Sequence, residues 1–139
     1  MTTENDTITC EKFLPHPPRA AVWKALTEPE LHARWWAAGD VKPVVGHRFT
    51  FDMGNNFGHQ PCEVTEVDDE RLLAYRFAEG VLDTTITWTL HPEDGGTRLV
   101  LTHAGFDLDS RMGRQALAGM GNGWLHVLDN LAQTLAATA

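Results

Sequence analysis

The C-terminal stretch LAGMGNGWLHVLDNLAQTL (residues 117–135) carries the pattern that decides the fold. Apolar residues recur in it at steps of three and four, which is the apolar stripe of an amphipathic helix. Asp107, Asp109 or Ser110 stands where a side chain can cap the start of that helix. A helix with one apolar stripe needs an apolar surface to cover it, and the preceding chain must supply that surface. The members of the stripe are Leu117, Met120, Gly121, Trp124, Val127, Leu128, Leu131 and Leu135.

Three glycines interrupt this stripe within five residues, at Gly119, Gly121 and Gly123. Each costs a helix about 1 kcal/mol relative to alanine. They follow no predicted strand, which excludes a dinucleotide-binding loop. The segment therefore predicts a weak or kinked stretch of helix, where the backbone either approaches another group closely or moves.

Upstream, the chain from about Val41 to His103 has the period of two that is typical of β-strands. Strands are predicted around 47–53, 62–67, 73–77, 84–90 and 99–103, and turn residues separate them. The last of these turns, Glu93-Asp94-Gly95-Gly96, is a strong hairpin signal. Strands joined by short turns form an antiparallel meander, and the C-terminal helix covers its apolar face.

Before this meander, a first strand is predicted over Thr7–Leu14, and the proline-rich segment 15–18 ends it. A helical pattern begins at Arg19. A second short helix is predicted after Thr27, with Thr27 as its N-cap and Pro29 in its first turn. The residues that these two helices contribute to an apolar face are Val22, Trp23, Leu26, Leu31, Trp35 and Trp36.

Length and charge limit the classes of function. The 139 residues are expected to form a single domain spanning 1–139. A net charge of -8 disfavours nucleic acid as a partner, because phosphate binding depends on Lys and Arg. No stretch approaches the ~20 apolar residues of a membrane span, and the polar N-terminus is no secretory signal. We therefore expect a cytoplasmic protein that neither enters a membrane nor pairs its two cysteines, Cys10 and Cys62.

Motifs for cofactors and covalent chemistry are missing from the sequence. The seven histidines include no pair four residues apart that encloses a glutamate, so no metal site is predicted. Ser110 is the only serine and capping explains it, which excludes a serine hydrolase. We predict no cofactor, and the sequence favours a protein that is not an enzyme.

Four blocks of sequence nevertheless resemble one family in the expected order. They are Phe13-Leu14-Pro15-His16-Pro17-Pro18 with its continuation to Trp35-Trp36, then 45–49, then 97–106, and then Gly123-Trp124 followed by Leu128 and Leu131. They are similar to the START-like (SRPBCC, helix-grip) superfamily, and within it to the branch of activator-of-heat-shock-ATPase-like (AHSA) domains. The resemblance implies an α+β helix-grip fold. A curved antiparallel sheet of about six to seven strands would wrap around the long C-terminal helix, with two short helices after the first strand.

In relatives of this kind a cavity between sheet and helix takes small apolar or amphipathic molecules, and small members often form symmetric dimers. The resemblance thus implies a small hydrophobic ligand, with a homodimer as an assembly to be tested. Each large aromatic taken singly is more often core than ligand site, but their number indicates a shaped gap. The residues predicted to line it are Trp36, Phe49, Phe51, Met53, Tyr75, Phe77, Trp88, His103, Phe106, Met120 and Trp124.

His103 is the polar residue of interest in that set, because it shares a strand face with Leu99 and Leu101. It is either a structural histidine satisfied by a neighbour or a weak candidate for a general acid or base. Glu63, Tyr75 and the threonine hydroxyls of the sheet are its candidate partners.

Three functions follow from these residues and from the resemblance. The first is binding of a small hydrophobic or amphipathic molecule, as a carrier or sensor. The second is an enzyme of the cyclase or hydro-lyase type that uses His103 as acid or base. The third is an interaction module like the activators of a chaperone ATPase, which would connect the protein with the stress response.

Overall fold

The computed structural model describes residues 2–15, 18–54 and 57–138. The predicted strand end at 15–18 and the predicted turn at 54–58 include His16, Pro17, Asn55 and Asn56, which lie outside the described residues. In chain order the elements are β1 (Thr2–Glu4), β2 (Thr7–Leu14), α1 (Arg19–Thr27), α2 (Pro29–Trp35), β3 (Ala38–Gly39), β4 (Arg48–Asp52), β5 (His59–Asp68), β6 (Leu72–Phe77), β7 (Thr84–Glu93), β8 (Gly96–Ala104) and α3 (Arg111–Thr138).

The eight strands of the described residues belong to one antiparallel sheet in the order β1-β2-β8-β7-β6-β5-β4-β3. The register between β5 and β6 shifts between Val64 and Glu66, and a bulge of this kind bends a strand and increases its twist. The α+β helix-grip fold is confirmed. The six longer strands are the ones that the sequence predicts, and the short strands β1 and β3 add the two edges.

The hairpin between β7 and β8 forms where the sequence predicts it. Glu93 pairs with Gly96, and Asp94 and Gly95 between them have φ values of 49° and 81°. Two consecutive positive φ angles define the turn that matches the twist of a two-residue hairpin. Gly96 is also required by packing, because a Cβ there would lie 2.1 Å from the carbonyl oxygen of Leu14.

Helix α3 starts as the sequence predicts, since Ser110 Oγ accepts a 2.8 Å hydrogen bond from the backbone N–H of Gly113. The predicted cap of α2 is wrong. Thr27 is the last residue of α1, and its hydroxyl donates to the carbonyl of Trp23 at 2.8 Å, so Glu28 takes the N-cap position. A threonine hydroxyl in a helix can bond back to the preceding turn, and here that bond replaces the cap.

The apolar stripe of α3 packs into the concave face of the sheet and also contacts α1 and α2. Trp124, Leu128, Leu131 and Leu135 are all buried. The helix is continuous through Gly119, Gly121 and Gly123, so no break occurs there. The close approach that the sequence allows for is also absent at Gly119 and Gly123, where a Cβ would meet nothing within 4 Å. Of the described helices, none is long and apolar enough to cross a membrane.

Candidate functional site

A cavity of about 490 Å³ lies between the N-terminal half of α3 and the ends of β4, β5 and β6. The loop after β6 and the residue after α2 close its sides. Ligand sites are typically concave, of this order of size, and apolar with few polar groups. The described residues that line it are Trp36, Met53, Phe57, Gln60, Phe77, Ala78, Val81, Leu82, Met112, Gln115, Ala116, Gly119, Met120, Gly123, Trp124 and Val127.

The lining of this cavity is almost wholly apolar. None of its described residues is charged, and the only side-chain amides are those of Gln60 and Gln115. Met53, Met112 and Met120 all belong to the lining, and methionine adapts its shape to what it contacts. This composition suits a neutral, hydrophobic occupant.

One side of the cavity opens to solvent through an apolar rim. Phe57 is 70% exposed, Val81 47% and Met112 52%, although all three also line the cavity. Exposed apolar side chains gathered around an opening are typical of an interaction or ligand site. The rim therefore gives a hydrophobic molecule a way in.

A second depression, of about 620 Å³, lies at the β3–β4–β5 edge of the sheet. Surface charges border it, among them Asp40, Arg48 and Asp52, and it is shallow and open to water. A shallow depression that charges border cannot bury most of a ligand, whereas the deeper apolar cavity beside α3 can. We therefore take the cavity beside α3 as the candidate site.

Gln60 carries the one buried side-chain nitrogen or oxygen atom without a hydrogen-bond partner among the described residues. Its Nε2 donates to the carbonyl of Phe57 at 2.5 Å, which orients the amide, while its Oε1 is buried and unpaired there. A buried unpaired acceptor costs about 1–3 kcal/mol. The wall at β5 thus holds an acceptor that a donor would stabilise.

The structure divides the predicted lining residues into two groups. Trp36, Met53, Phe77, Met120 and Trp124 line the cavity. The other six are not among its lining residues and pack in the buried aromatic cluster of the core. Those six are Phe49, Phe51, Tyr75, Trp88, His103 and Phe106. One of them, Phe49, also lines the second depression at the β3–β4–β5 edge.

Edge-to-face contacts hold this cluster together. Trp88 contacts Trp35 at 5.6 Å between ring centroids and Trp124 at 5.7 Å, with interplanar angles of 89° and 84°. Its indole N–H donates to the Tyr75 hydroxyl at 3.0 Å. Pairs of this geometry contribute beyond their buried area, so the cluster is a rigid backing for the cavity wall.

His103 lies at the centre of a buried hydrogen-bond chain. Trp124 Nε1 donates to His103 Nδ1 at 3.0 Å, so the ring proton is on Nε2, which donates to Thr84 Oγ1 at 2.8 Å. The Thr84 hydroxyl in turn donates to the Phe77 carbonyl at 3.4 Å. Burial lowers the pKa of His103 to about 3.

Of the partners predicted for His103, the threonine hydroxyl is therefore confirmed. Glu63 instead pairs with Arg48 at 3.0 Å, and the Tyr75 hydroxyl is bonded to Trp88. Both nitrogens of His103 are used inside the protein and the ring stays neutral. The geometry thus supports its structural role and leaves no nitrogen free to move a substrate proton.

His32 is a buried polar residue that the sequence analysis did not single out. Its ring is 1% exposed, stacks on Phe51 at 4.6 Å and bonds through Nδ1 to the Ala37 carbonyl at 2.6 Å. Burial lowers its pKa to about 4. His32 lies three residues before Trp35, on the apolar side of α2, and this spacing indicates from the sequence that it is buried.

The two cysteines are free and buried. Burial raises the pKa of the Cys62 thiol to about 12, so it stays protonated and unreactive at neutral pH. Within 2–15, 18–54 and 57–138, no three His, Cys, Asp or Glu side chains lie together as a metal ion would need.

Comparison with known proteins gives one family. The family model described as "Activator of Hsp90 ATPase homolog 1-like protein" matches residues 16–136. Among curated proteins nothing matches the chain.

Solved structures agree with that match. The protein MLL2253 from Mesorhizobium loti is 32% identical, with 96% of this chain and 98% of that chain covered and a TM-score of 0.82. CalU16 from Micromonospora echinospora is 25% identical over 93% of this chain and 75% of that chain, with a TM-score of 0.76. The Aha1 dimer from Colwellia psychrerythraea is 20% identical, with coverages of 93% and 95% and a TM-score of 0.76, which supports the fold alone.

Proposed function

The chain belongs to the family of Activator of Hsp90 ATPase homolog 1-like proteins, and from this premise we propose that it binds a small hydrophobic or amphipathic molecule in the cavity beside α3. The observation that carries the proposal is the uncharged, apolar lining of a concave space of about 490 Å³ that opens to solvent on one side. Transfer of apolar surface from water into such a space is favourable by roughly 25 cal/mol per Å². The protein would act as a carrier or sensor of that molecule.

Two features of the cavity support binding rather than simple packing. The rim residues Phe57, Val81 and Met112 keep the cavity open to solvent, so a ligand can enter without unfolding the core. Behind the lining, the aromatic cluster around Trp88 and Tyr75 is buried and held by a hydrogen bond and an edge-to-face contact. A rigid wall and an adaptable methionine lining together suit a site that is largely formed before the ligand arrives.

A fluorescent apolar probe tests the proposal. We expect 1-aminoanthracene to bind with one site per chain, and to quench tryptophan fluorescence because Trp36 and Trp124 line the cavity. Ala116→Phe fills the cavity with a ring and should weaken binding at least tenfold. Ala118→Phe is the matched control, since Ala118 is exposed on the same helix and does not line the cavity.

Circular dichroism of both variants checks that α3 is intact. Equal affinity of wild type and Ala116→Phe would show that the probe binds elsewhere and would refute the proposed site. Native mass spectrometry of the purified protein then identifies any small molecule that it carries.

Family membership favours one second candidate, an interaction module of the chaperone-activator type. Stimulation of an Hsp90 ATPase by the purified chain is the direct measurement. If Ala116→Phe abolished probe binding and left that stimulation unchanged, the two activities would use different surfaces. The dimer named for the Colwellia protein makes a homodimer the assembly to test, by light scattering.

A further inference from the structure

The N-terminal half of α3 presents bare backbone to the cavity at two positions. Gly119 and Gly123 both belong to the lining, and they are four residues apart on one face of the helix. At 1.5 Å per residue they lie about 6 Å apart along the helix axis. Between Ala116 and Val127 these two positions present no side chain to the cavity, while Met120 and Trp124 of the same helix line it beside them.

Nothing in the described fold requires glycine at either position. Neither residue has a positive φ, so their backbone conformation is open to any L-amino acid. A Cβ built at either position meets no described atom within 4 Å. Alanine would fit both positions and would favour the helix, because glycine is the poorest helix former after proline. The two glycines therefore lower the stability of the helix without a packing reason.

The space that the missing side chains leave belongs to the cavity. Met53, Phe77 and Leu82 line the same cavity from the sheet and its loops. Trp36 and Trp124 also line it, with 4.8 Å between their ring centroids. A flexible chain can pass between projecting side chains and needs no bare strip of backbone. A flat ring system needs a flat surface to lie on, and the strip of α3 at Gly119 and Gly123 supplies one.

We propose that Gly119 and Gly123 determine the specificity of the cavity, by letting a flat, fused-ring apolar molecule lie against the backbone of α3. This inference rests on the proposed function, because it concerns the same cavity. The glycines set which molecules fit, and the ring lies lengthwise along the helix between α3 and the sheet-side residues. Gln60 Oε1, buried and unpaired among the described residues, is an acceptor in the same lining for a ring that carries a hydroxyl or amino group.

The test compares a flat probe with a chain probe on one pair of substitutions. 1-Aminoanthracene is the flat probe and 1-decanol, which is uncharged like the cavity lining, is the chain probe, both measured by calorimetric titration. We expect the double variant Gly119→Ala/Gly123→Ala to bind 1-aminoanthracene at least fivefold more weakly and to bind 1-decanol within twofold of wild type. Asn122→Ala, an exposed position on the same turn that does not line the cavity, should change neither affinity.

A melting curve shows that the loss is not a folding defect. Each glycine-to-alanine change should raise the melting temperature by about 2–4 °C, because alanine favours the helix and nothing clashes. Unchanged affinity for 1-aminoanthracene in the double variant overturns the inference and leaves the proposed function standing. An equal loss for both probes overturns the selectivity for flat rings. Absence of any binding by wild type refutes the proposed function itself.

Discussion

The two buried histidines make the stability of the fold depend on pH in a defined window. His103 and His32 are both neutral in the folded protein, because burial lowers their pKa to about 3 and about 4. In the unfolded chain a histidine has a pKa of ≈ 6.5. Unfolding therefore takes up protons as the pH falls below that value. The stabilisation is complete above about pH 6.5 and is lost progressively as the pH falls toward the folded-state values.

The size of the effect follows from the same values. Between pH 7.5 and pH 5.0, each buried histidine lowers the free energy of unfolding by about 2 kcal/mol, since one pKa unit corresponds to 1.36 kcal/mol. The two together lower it by about 4 kcal/mol. A domain is stable by only about 5–15 kcal/mol in total, so the loss is a large share.

Urea denaturation at pH 7.5 and pH 5.0 measures this loss in the free energy of unfolding, and His103→Gln is the informative variant. Glutamine does not titrate, so this variant should lose about half of the pH dependence that wild type shows. His126→Gln is the control, because His126 is exposed. Carboxylates contribute equally to all three proteins, so the difference isolates His103. If wild type and His103→Gln showed the same pH dependence, His103 would not be held neutral as its hydrogen bonds require.

Other predictions concern single contacts and are measured by urea denaturation at neutral pH. Trp124→Phe removes the donor to His103 Nδ1 and should cost about 1–3 kcal/mol, and an unchanged midpoint would contradict the bond. Thr84→Val leaves the buried Nε2–H of His103 without its acceptor and should cost a similar ~1–3 kcal/mol; Thr85→Val, at a half-buried neighbouring position, should cost clearly less. Gly96→Ala places a Cβ 2.1 Å from the Leu14 carbonyl oxygen, so a backbone shift should cost about 1–3 kcal/mol. Full stability of that variant would mean that β2 and β8 are not packed this closely.

Most of the fold could be predicted from the sequence because its strands are long enough to show their period. β7 and β8 alternate between buried and half-buried residues along nearly their whole length, which matches the period of two in the sequence. β1 and β3 have three and two residues, which is too short for any period to appear. The sequence predicts Thr27 as the cap of α2, and the structure places it at the end of α1. A threonine hydroxyl can cap the next helix or bond back to its own, and sequence position does not distinguish the two.

The lining of the site could be predicted only in part. The sequence pattern shows which side chains face inward, but it does not show which of them line the cavity and which pack in the core. Trp35 and Trp36 are adjacent in sequence, yet Trp35 is in the core, bonded to the Ala25 carbonyl at 2.9 Å, while Trp36 lines the cavity. Which of them does so depends on where α2 ends. The loop residues Phe57 and Leu82 also line the cavity, and loops have no periodicity that would indicate it.

The role of Gly119 and Gly123 in α3 could also be predicted only in part from the sequence. The sequence marks Gly119 and Gly123 as unusual in a helix, because their helix propensity is poor. It does not show whether the missing side chain avoids a clash or leaves a space. The structure shows that the missing side chain leaves a space, since a Cβ at either position meets nothing within 4 Å.

The central claim, that a hydrophobic molecule occupies the cavity beside α3, is tested most directly by NMR of the methionine methyl groups. Met53 lines the cavity from the chain after β4, and Met112 and Met120 line it from two positions of α3 that are eight residues apart. On addition of 1-aminoanthracene we expect all three methyl signals to shift with one common affinity, while the indole N–H of Trp23, which is buried outside the lining, stays unchanged. Binding of the probe with the three methyl signals unmoved would contradict the claim.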